Sequence, residues 1–550
     1  MKFSASPFQS KSAGPKMCAE GESMQSKIEF TKSSMYAGIS RRAFLATSGF
    51  AVASFALSGK SVAATQKGGT LKGAITAPAT ALDPFAVSEP GGFVIVGQTG
   101  EYLAVAQADG TLKPVLAESW EPRENGKVWV YKIRSGVSFH DGTPMTAKDV
   151  AATFNRHADP DVGSNALSAL KGILSKGGAV TKDDTTVEFT LDAPYGNFPY
   201  TASSDNYNCV ILKNGDSTDY PNNQNGTGPW KLKEMRPGRG VTYIKNEKYW
   251  GSAPSFDEVV WTFYEDMGAA ILAVQSGAAD VLSGFDTRAG AALFKNPKVN
   301  VVSLPSSAHE VIHMRTDISP FNDSRIRKAV ALSIDRPAVV KVLFDNKAEV
   351  GNDSPFAHVF PSTDKSVPQR VKDVPAAKAL LAEAGVADGF KVDLLTQKSA
   401  SIPELAVLVQ DQLREIGITV NIVQMGTDQY YGDLKFGTSP FLDSAFGIDD
   451  YSHRSVPNVF LSAQLSSTGV WNAAHFKNAK YDDLMSKYFV ATDLETQQKV
   501  AGEIERLLLE ETPQLGLYFK NSNMVHSLGV TGVQANAMGQ LFLGEAALVE

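Results

Sequence analysis

A twin-arginine pattern near the start of the chain limits which residues can belong to the folded protein. The segment Ser40–Leu45 reads S-R-R-A-F-L, and an apolar run from Ala43 to Leu57 follows it. Lys60 and the small residues Ser61–Ala64 come next, which is the order of a cleavable export signal. The apolar run of roughly 15 residues is shorter than the ~20 that cross a bilayer. We therefore expect cleavage near Ala64 and a free periplasmic protein.

The length that remains indicates more than one structural unit. Removing residues 1–64 from the 550-residue chain leaves 486 residues, which exceed a single ordinary core. Two or more lobes are therefore expected. Two alternatives stay open at the N-terminus: the apolar run is an uncleaved anchor, or translation starts at Met24 or Met35.

The charge balance restricts the partners. Eight of the 52 Lys and Arg residues and three of the 59 Asp and Glu residues lie in residues 1–64, so 44 basic and 56 acidic residues remain, a net charge near −12. This balance argues against nucleic acid and anionic membranes as partners. Of the two cysteines, Cys18 falls in the segment expected to be removed, which leaves Cys209 without a disulfide partner and no lipid-attachment cysteine. Neither a cofactor nor a protein-built metal site is expected.

Hydrophobic periodicity indicates an α/β architecture. A hairpin turn at Asn125-Gly126 precedes an alternating strand, and Thr146 with Asp149 has the pattern of a helix N-terminal capping box. The second half alternates helices with strands, for example a helix that begins at Asp323 and a strand over Ile418–Ile422. Such units predict two α/β lobes, with ligand bound where the lobes meet.

One segment matches a zinc-protease motif but has the wrong local structure for it. His309–His313 reads H-E-V-I-H, a pattern that holds zinc only on a helix, where both histidines share a face. Here the segment continues a Val- and Ile-rich strand pattern after Pro305. In a strand the two histidines lie about 13 Å apart at ~3.3 Å per residue. The glycine-rich segment Gly226–Trp230 also lacks the Lys-Ser/Thr pair of a phosphate loop. We therefore expect no enzymatic activity.

Five segments in the same order resemble family 5 of the extracellular solute-binding proteins, the dipeptide and oligopeptide receptor group. They cover nearly all of the chain after residue 64 and are L-A-E-S-W (116–120), F-H-D-G-T-P-M-T-A-K-D-V (139–150), G-T-G-P-W (226–230) with Tyr249-Trp250, P-F-N-D-S-R-I-R-K-A-V-A-L-S-I-D-R-P (320–337) and Q-D-Q-L-R-E-I-G-I-T-V (410–420). The resemblance implies a two-lobed periplasmic binding protein that closes over its ligand.

The resemblance also implies how the chain is divided. Lobe I would comprise residues 65–307, with an extra subdomain over about 98–208, and lobe II residues 308–514. Residues 515–550 would return to lobe I. The chain would cross between the lobes near Leu304–His309 and near Gln514–Phe519.

The resemblance implies a principal ligand residue. Peptide receptors of this family use an aspartate in a W-x-x-D-Y type segment to pair with the ligand α-ammonium. The segment here reads F-G-I-D-D-Y from Phe446 to Tyr451, so Asp450 occupies the matching place. Phe446 replaces the usual Trp, and His453-Arg454 stand where an acidic residue and a proline are common. A solvated loop carboxylate is the structural alternative for Asp450.

The remaining candidates would complete the pocket. Lys398 lies near the place of an arginine that binds the ligand carboxylate in dipeptide receptors, and Arg315 replaces a usual asparagine. The alternative for Lys398 is an ordinary surface lysine, and the alternative for Arg315 is a pair with a structural carboxylate. The pocket walls would come from Tyr207, Phe446, Tyr451 and Trp471, from the polar Asn472, and from Ser88 and Glu89 on the first loop that lines the cleft.

The function implied is that of a monomeric receptor of an ABC importer, which captures a peptide or peptide-like polar molecule and delivers it to the permease subunits in the inner membrane. ATP hydrolysis would belong to other subunits. Three alternatives stay open. In the first, the same fold binds another ligand (an opine or amino-acid conjugate, an oligosaccharide, a nickel chelate or haem). In the second, the chain is an exported hydrolase. In the third, it presents ligand to a membrane sensor.

Overall fold

The computed structural model describes residues 65–78, 82–399 and 401–549, and Val62–Glu550 forms one compact unit. The twin-arginine segment, Cys18 and the expected cleavage site at Ala64 lie outside the described residues. Within these three ranges, no helix combines the length and the apolar character needed to cross a bilayer.

Consecutive strands predominate in the first part of the described chain, whereas helices and strands alternate from His309 to Gly516, as predicted for the second half. The strands are β1 Thr65–Gln66, β2 Thr70–Thr76, β3 Ala104–Ala106, β4 Leu112–Pro114, β5 Ala117–Arg123, β6 Val128–Ile133, β7 Ala179–Asp183, β8 Thr186–Thr190, β9 Trp230–Arg236, β10 Gly240–Lys245, β11 Glu258–Tyr264, β12 Val281–Phe285, β13 Val299–Pro305, β14 His309–Met314, β15 Ala348–Val350, β16 Lys391–Gln397, β17 Thr419–Met425, β18 Phe446–Tyr451, β19 Gln514–Gly516, β20 Tyr518–Ser527, β21 Val530–Thr531, β22 Gln534–Ala535, β23 Leu541–Phe542 and β24 Ala547–Val549. The helices are α1 Pro90–Thr99, α2 Ala147–His157, α3 Leu167–Leu170, α4 Phe198–Thr201, α5 Tyr220–Asn223, α6 Met267–Ser276, α7 Ser324–Ser333, α8 Arg336–Phe344, α9 Val374–Glu383, α10 Ile402–Arg414, α11 Thr427–Tyr431, α12 Pro440–Asp443, α13 Ala479–Val490 and α14 Leu494–Glu511.

A mixed eight-stranded sheet forms the larger lobe. Its order is β13-β20-β12-β2-β11-β10-β9, and β15 pairs with β20 beside this path. The strand β2 runs parallel to β11 and β12, whereas the outer pairs are antiparallel. Two fully buried tryptophans, Trp230 and Trp261, lie in the core between this sheet and α1.

A smaller four-stranded sheet, β5-β6-β8-β7, stands apart from the large sheet and packs with α2 around its own core. The predicted capping box is present, because the Asp149 carboxylate accepts a hydrogen bond from the Thr146 backbone N–H while the Thr146 side chain accepts one from Lys148. The extra subdomain over about residues 98–208 remains a proposal, which this separate sheet and core support.

A five-stranded sheet, β17-β16-β18-β14-β19, forms the second lobe. Helices α7 to α10 cover it and bury a second large core. The predicted cap at Asp323 is confirmed, since its side chain accepts a hydrogen bond from the Arg325 backbone N–H at 2.9 Å. Asp373 caps α9 in the same way, since its side chain accepts a hydrogen bond from the Ala376 backbone N–H.

Two short connections join the two large sheets. The chain leaves the eight-stranded sheet at Pro305 and enters the five-stranded sheet at His309; it returns between Gly516 and Tyr518. His309–His313 therefore lies in a strand, as predicted, and not on a helix. The lobe limits at residues 307/308 and 514/515 remain a proposal, which these crossings support.

Candidate functional site

A cleft of about 690 Å³ lies between the two large sheets, beside the crossing segments. The first lobe contributes the loop after β12, from Gly284 to Ala289, and the part of β20 at Lys520. The second lobe contributes Ser401 and Glu404 at the start of α10, and the end of β18. A molecule held in this cleft would contact both lobes, so binding and lobe closure would be linked.

Asp450 lies at the end of β18 and lines the cleft. Its Oδ1 accepts hydrogen bonds from Gln397 Nε2 at 2.5 Å and from the Tyr431 hydroxyl at 2.6 Å. Neither partner carries a charge, so the negative charge of the carboxylate is oriented by its neighbours but is not neutralised by them. A cationic group of a ligand is the natural complement of such a carboxylate.

The preceding residue, Asp449, anchors β18 through hydrogen bonds in the interior of the protein. Its two carboxylate oxygens accept hydrogen bonds from the Tyr430 hydroxyl at 2.8 Å and from His313 Nδ1 at 2.9 Å. His313 Nε2 in turn lies 3.1 Å from the Ser444 hydroxyl. Asp449 and His313 are each 1% exposed, so this Ser-His-Asp chain lies in the interior and supports the strand that ends at Asp450.

A cationic side chain, Arg454, lines the same cleft. Its Nη1 donates to the His453 carbonyl at 2.8 Å, and its backbone N–H donates to the Ser307 hydroxyl at 2.9 Å. Burial, with a smaller contribution from the Arg454 charge, lowers the pKa of His453 to about 3, so its imidazole is neutral and its Nδ1 accepts the Ser307 N–H at 3.0 Å. The crossing segment therefore fixes the backbone that carries Arg454.

Two ion pairs link the lobes at the edges of the cleft. Lys520 of β20 contacts the fully buried Glu310 of β14 at 2.7 Å. Arg288, in the loop after β12, contacts Glu404 of α10 at 2.8 Å. Both pairs join residues of different lobes, so both favour the arrangement of the lobes seen here.

Four of the predicted site residues meet at the cleft: Asp450, Tyr451, Tyr207 and Ser88. The Tyr207 ring stacks on Phe93 at 4.7 Å between centroids, which fixes one aromatic wall. On the second lobe, opposite Tyr207, the Tyr451 ring stacks on the His309 ring with 5.6 Å between centroids. Glu89 is half-buried next to Ser88 and accepts a hydrogen bond from the Ser88 hydroxyl at 3.3 Å, just outside the lining of the cleft.

The other candidates lie elsewhere. Phe446 is fully buried in the core of the second lobe, 5.3 Å from the Phe321 ring. Arg315 donates two hydrogen bonds to the Asp317 carboxylate and one to a backbone carbonyl. Three further candidates do not line the cleft either: Lys398 is exposed after β16, Asn472 closes a buried turn, and Trp471 packs 6.1 Å from the Tyr451 ring.

The sequence did not predict the residues that orient Asp450 or the cationic side chain near it. Gln397 and Tyr431 orient Asp450, and Arg454 supplies the cation. A signal for Arg454 was present, because His453-Arg454 departs from the acidic-Pro pair common in similar proteins. No local pattern marked Tyr431, which reaches Asp450 from a separate helix, α11. In the described part of the chain, no group of three metal-ligating side chains comes together.

Comparison with known proteins decides the family. The sequence model of the family described as bacterial extracellular solute-binding proteins, family 5 middle, matches residues 111–468. The chain belongs to this family. The glutathione-binding protein GsiB of Escherichia coli K12 is 26% identical over 469 residues, which are 82% of this chain and 89% of that protein.

Solved structures share the fold. HbpA2 from Haemophilus parasuis is 23% identical with a TM-score of 0.78, over 88% of this chain and 100% of that chain. DppA from Helicobacter pylori, in complex with the peptide STSA, is 22% identical with a TM-score of 0.66, over 88% and 99% of the two chains.

Membership of the family confirms several predictions made from the sequence. The two-lobed α/β fold and the family are as predicted, and this family 5 protein is a binding protein and not an enzyme. Its role is periplasmic solute capture for an ABC importer, since solute-binding proteins of this family bind small peptide-like ligands and work with ABC permeases.

Proposed function

We propose that this protein captures a zwitterionic, peptide-like molecule in the interlobe cleft and delivers it, as a monomer, to an ABC permease. Asp450 would pair with the ammonium group of the ligand and Arg454 with a carboxylate, while Tyr207 and Tyr451 would cover its apolar body. Export by the twin-arginine route, with removal of the signal near Ala64, is part of the same proposal.

The observation that carries this proposal is the presence of opposite charges in one cleft. Asp450 and Arg454 both line it, and the hydrogen bonds each makes within the cleft wall go to neutral partners. A ligand with a single charge would leave one of the two groups desolvated and unpaired on closure, which is unfavourable. A zwitterion satisfies both.

The names of relatives suggest the first probes. GsiB is named as a glutathione-binding protein, and DppA was solved with a tetrapeptide. Glutathione carries an ammonium and two carboxylates, so it suits a cleft with these charges. Opines and metal chelates complete the panel because the His453-Arg454 pair, which lines the cleft, departs from the pattern of peptide receptors.

The test is calorimetric titration of the purified protein with glutathione, di- to tetrapeptides and their N-acetylated forms. We expect free peptides to bind and N-acetylated peptides to lose at least about tenfold in affinity, since ~1.4 kcal/mol corresponds to tenfold. The substitution Asp450→Asn should cause a comparable loss for free peptides and little change for the acetylated ones.

Asp428→Asn is the matched control, since Asp428 is exposed on α11 and does not line the cleft. It should bind free peptides like the wild type. Equal affinity for free and acetylated peptides in the wild type would rule out Asp450 as the ammonium partner. Heat on titration with an opine or chelate, and none with peptides, would keep the solute-binding role and replace the ligand class.

A further inference from the structure

A chamber of about 270 Å³ lies within the first lobe, apart from the interlobe cleft. Its lining comes from the end of α1 and the segment after it, from Pro229, and from parts of residues 113–115, 249–252 and 534–545. The chamber and the cleft share none of their lining residues. The two cavities can therefore be occupied at the same time.

Aromatic side chains form walls of this chamber. Tyr249, Trp250 and Phe542 line it and are each half-buried, so part of each ring remains accessible. The Tyr249 and Trp250 rings are 5.3 Å apart between centroids and inclined by 52°, so they form adjoining walls and not a stack. The faces of aromatic rings carry negative potential and attract ammonium groups. Three rings around one cavity therefore favour an organic cation.

A buried carboxylate lies behind two of these walls. Glu101 is 7% exposed and accepts hydrogen bonds from the Tyr249 hydroxyl at 2.7 Å and from Trp250 Nε1 at 2.8 Å. Its third donor is the Thr227 hydroxyl at 2.8 Å. All three donors are neutral, so they orient the carboxylate without pairing its charge. Donation to an anion also polarises both rings, which strengthens their attraction for a cation.

The charge on Glu101 depends on what lies near it. Burial raises the pKa of Glu101 to about 7, against the opposing effects of its hydrogen bonds and of Arg134. Arg134 contacts Trp250 from outside the lining, with 4.7 Å between its Cζ and the ring centre, and pairs with Glu118 at 3.6 Å. A cation in the chamber would favour the ionised form of Glu101, because opposite charges stabilise each other.

The exposed edge of the chamber carries a second carboxylate. Glu545 and Lys113 both line the chamber; they lie 3.8 Å apart and are 62% and 50% exposed, so their mutual attraction is weak. The Gln534 side chain donates to Glu545 at 2.7 Å. Burial, and then the charges of Glu101 and Glu545, raise the pKa of Tyr249, so both carboxylates act on this wall. The lining therefore has two carboxylates and one ammonium group.

A glycine on α1 keeps the chamber open. Gly97 lies inside the helix and lines the chamber, and a Cβ added to it would meet no atom of the described chain within 4 Å. Glycine is less favourable than alanine inside a helix. No close contact in the described chain requires glycine here, so the space beside Gly97 is available to a ligand.

We infer that this chamber is a second binding site, which takes a compact organic ammonium ion. The cation would contact the rings of Tyr249, Trp250 and Phe542, while the carboxylates of Glu101 and Glu545 would balance its charge. The site goes beyond the proposed function, because it lies in one lobe and requires neither a peptide nor closure of the lobes.

The test compares choline with 3,3-dimethyl-1-butanol, which has the same shape but no charge. Both are titrated calorimetrically into Asp450→Asn, a variant that lacks the carboxylate proposed to bind ammonium groups in the cleft. Choline should bind at least about tenfold more tightly than the alcohol. Equal affinities, or no heat with choline and none with tetramethylammonium, would overturn the inference.

A variant that fills the chamber locates the bound cation. Gly97→Leu, added to Asp450→Asn, should weaken choline by at least about tenfold, and leucine also favours the helix that carries it. The control is Ala382→Leu, which adds the same side chain at an exposed position of α9 in the second lobe. It should leave the affinity within about twofold. Unchanged choline binding in Gly97→Leu would place the cation elsewhere and overturn the inference.

A charge substitution at the edge of the chamber tests the role of the carboxylates. Glu545→Gln should weaken choline by about threefold or more and leave the alcohol within about twofold. Glu247→Gln is the matched control, since Glu247 is exposed, pairs with Lys245 at 3.4 Å and lies outside the lining. Equal effects of the two substitutions on choline would contradict the role of Glu545. None of these titrations contains a peptide, so their outcome is independent of the proposed function.

Discussion

At the scale of single residues, the strongest electrostatic arrangement in the described chain lies outside the cleft. Asp353 is fully buried and accepts from Arg336 at 2.6 Å and from Arg370 at 2.7 Å. Arg336 is itself 1% exposed at the start of α8. The carboxylate therefore pairs with two guanidinium groups and holds the segment before α9 against α8.

We predict that Asp353→Asn lowers the free energy of unfolding by about 3 kcal/mol or more, because removing one partner of a buried ion pair leaves an uncompensated charge. Urea denaturation measures the loss. The control is Asp345→Asn, which breaks an exposed pair with Lys347 and should cost less than about 1 kcal/mol. Similar losses for the two variants would contradict the role given to Asp353.

For single residues, the sequence predicted the lining of the cleft only in part. The resemblance placed Asp450 and Tyr451 at the cleft, but it also placed Phe446 there. Side chains alternate along β18, so Phe446 and Ile448 share a face with Asp450. Phe446 and Ile448 are buried in the core of the second lobe. Asp450 lies near the end of the strand, beyond this core, and lines the cleft. Strand position, and not residue type, decides which of these side chains lines the cleft.

At the scale of elements, local signals mark the start of several helices but not of all of them. Asp323, Asp335 and Asp373 each cap the helix that follows them. The order of the strands in the sheets could not be predicted from local signals. Strand β20 pairs with both β12 and β13, more than 200 residues earlier in the chain, and no local pattern encodes such a partner.

Helix α14 carries a buried acidic residue that links its packing to pH. Glu505 faces Ser354, whose hydroxyl donates to it at 3.1 Å, while its other oxygen has no partner. Burial raises the pKa of Glu505 to about 8, from an ordinary value of 4.5. The folded protein therefore binds this proton more tightly than the unfolded chain does, so the stabilisation is complete below about pH 4.5 and is lost as the pH rises to about 8.

We predict that Glu505→Gln flattens this dependence, because the amide keeps a neutral group at the site. Compared with the wild type, the variant should gain stability as the pH rises from 5 to 8.5, by up to about 1.4 kcal/mol for each pH unit between about 4.5 and about 8, where the folded wild type keeps this proton and its unfolded chain has lost it. Thermal unfolding across this pH range measures the difference. Glu503→Gln, on the exposed side of α14, should follow the wild-type curve. Parallel curves for Glu505→Gln and the wild type would contradict the prediction.

At the scale of the whole molecule, two short crossings connect the lobes, and side-chain contacts such as Asn197–Asn458 and Asp205–Ser455 also hold them together. Lys520 pairs with the buried Glu310 beside the crossing, and the Arg288–Glu404 pair spans the open side of the cleft. Its side chains are 52% and 46% exposed. A pair this exposed contributes less than ~1 kcal/mol, so it biases the lobes towards closure but cannot close them without ligand.

The closing role of this pair predicts a small, coupled effect on affinity. Arg288→Gln and Glu404→Gln should each weaken the tightest-binding peptide by no more than about fivefold, because the contribution of an exposed pair to the closed state is below ~1 kcal/mol. The double variant should be no weaker than either single variant, since both remove the same contact. Raising the salt concentration should reduce the loss, because exposed charges are screened. Calorimetry at low and high salt measures all four proteins; losses that add in the double variant would show that each residue contacts the ligand directly instead of holding the lobes together.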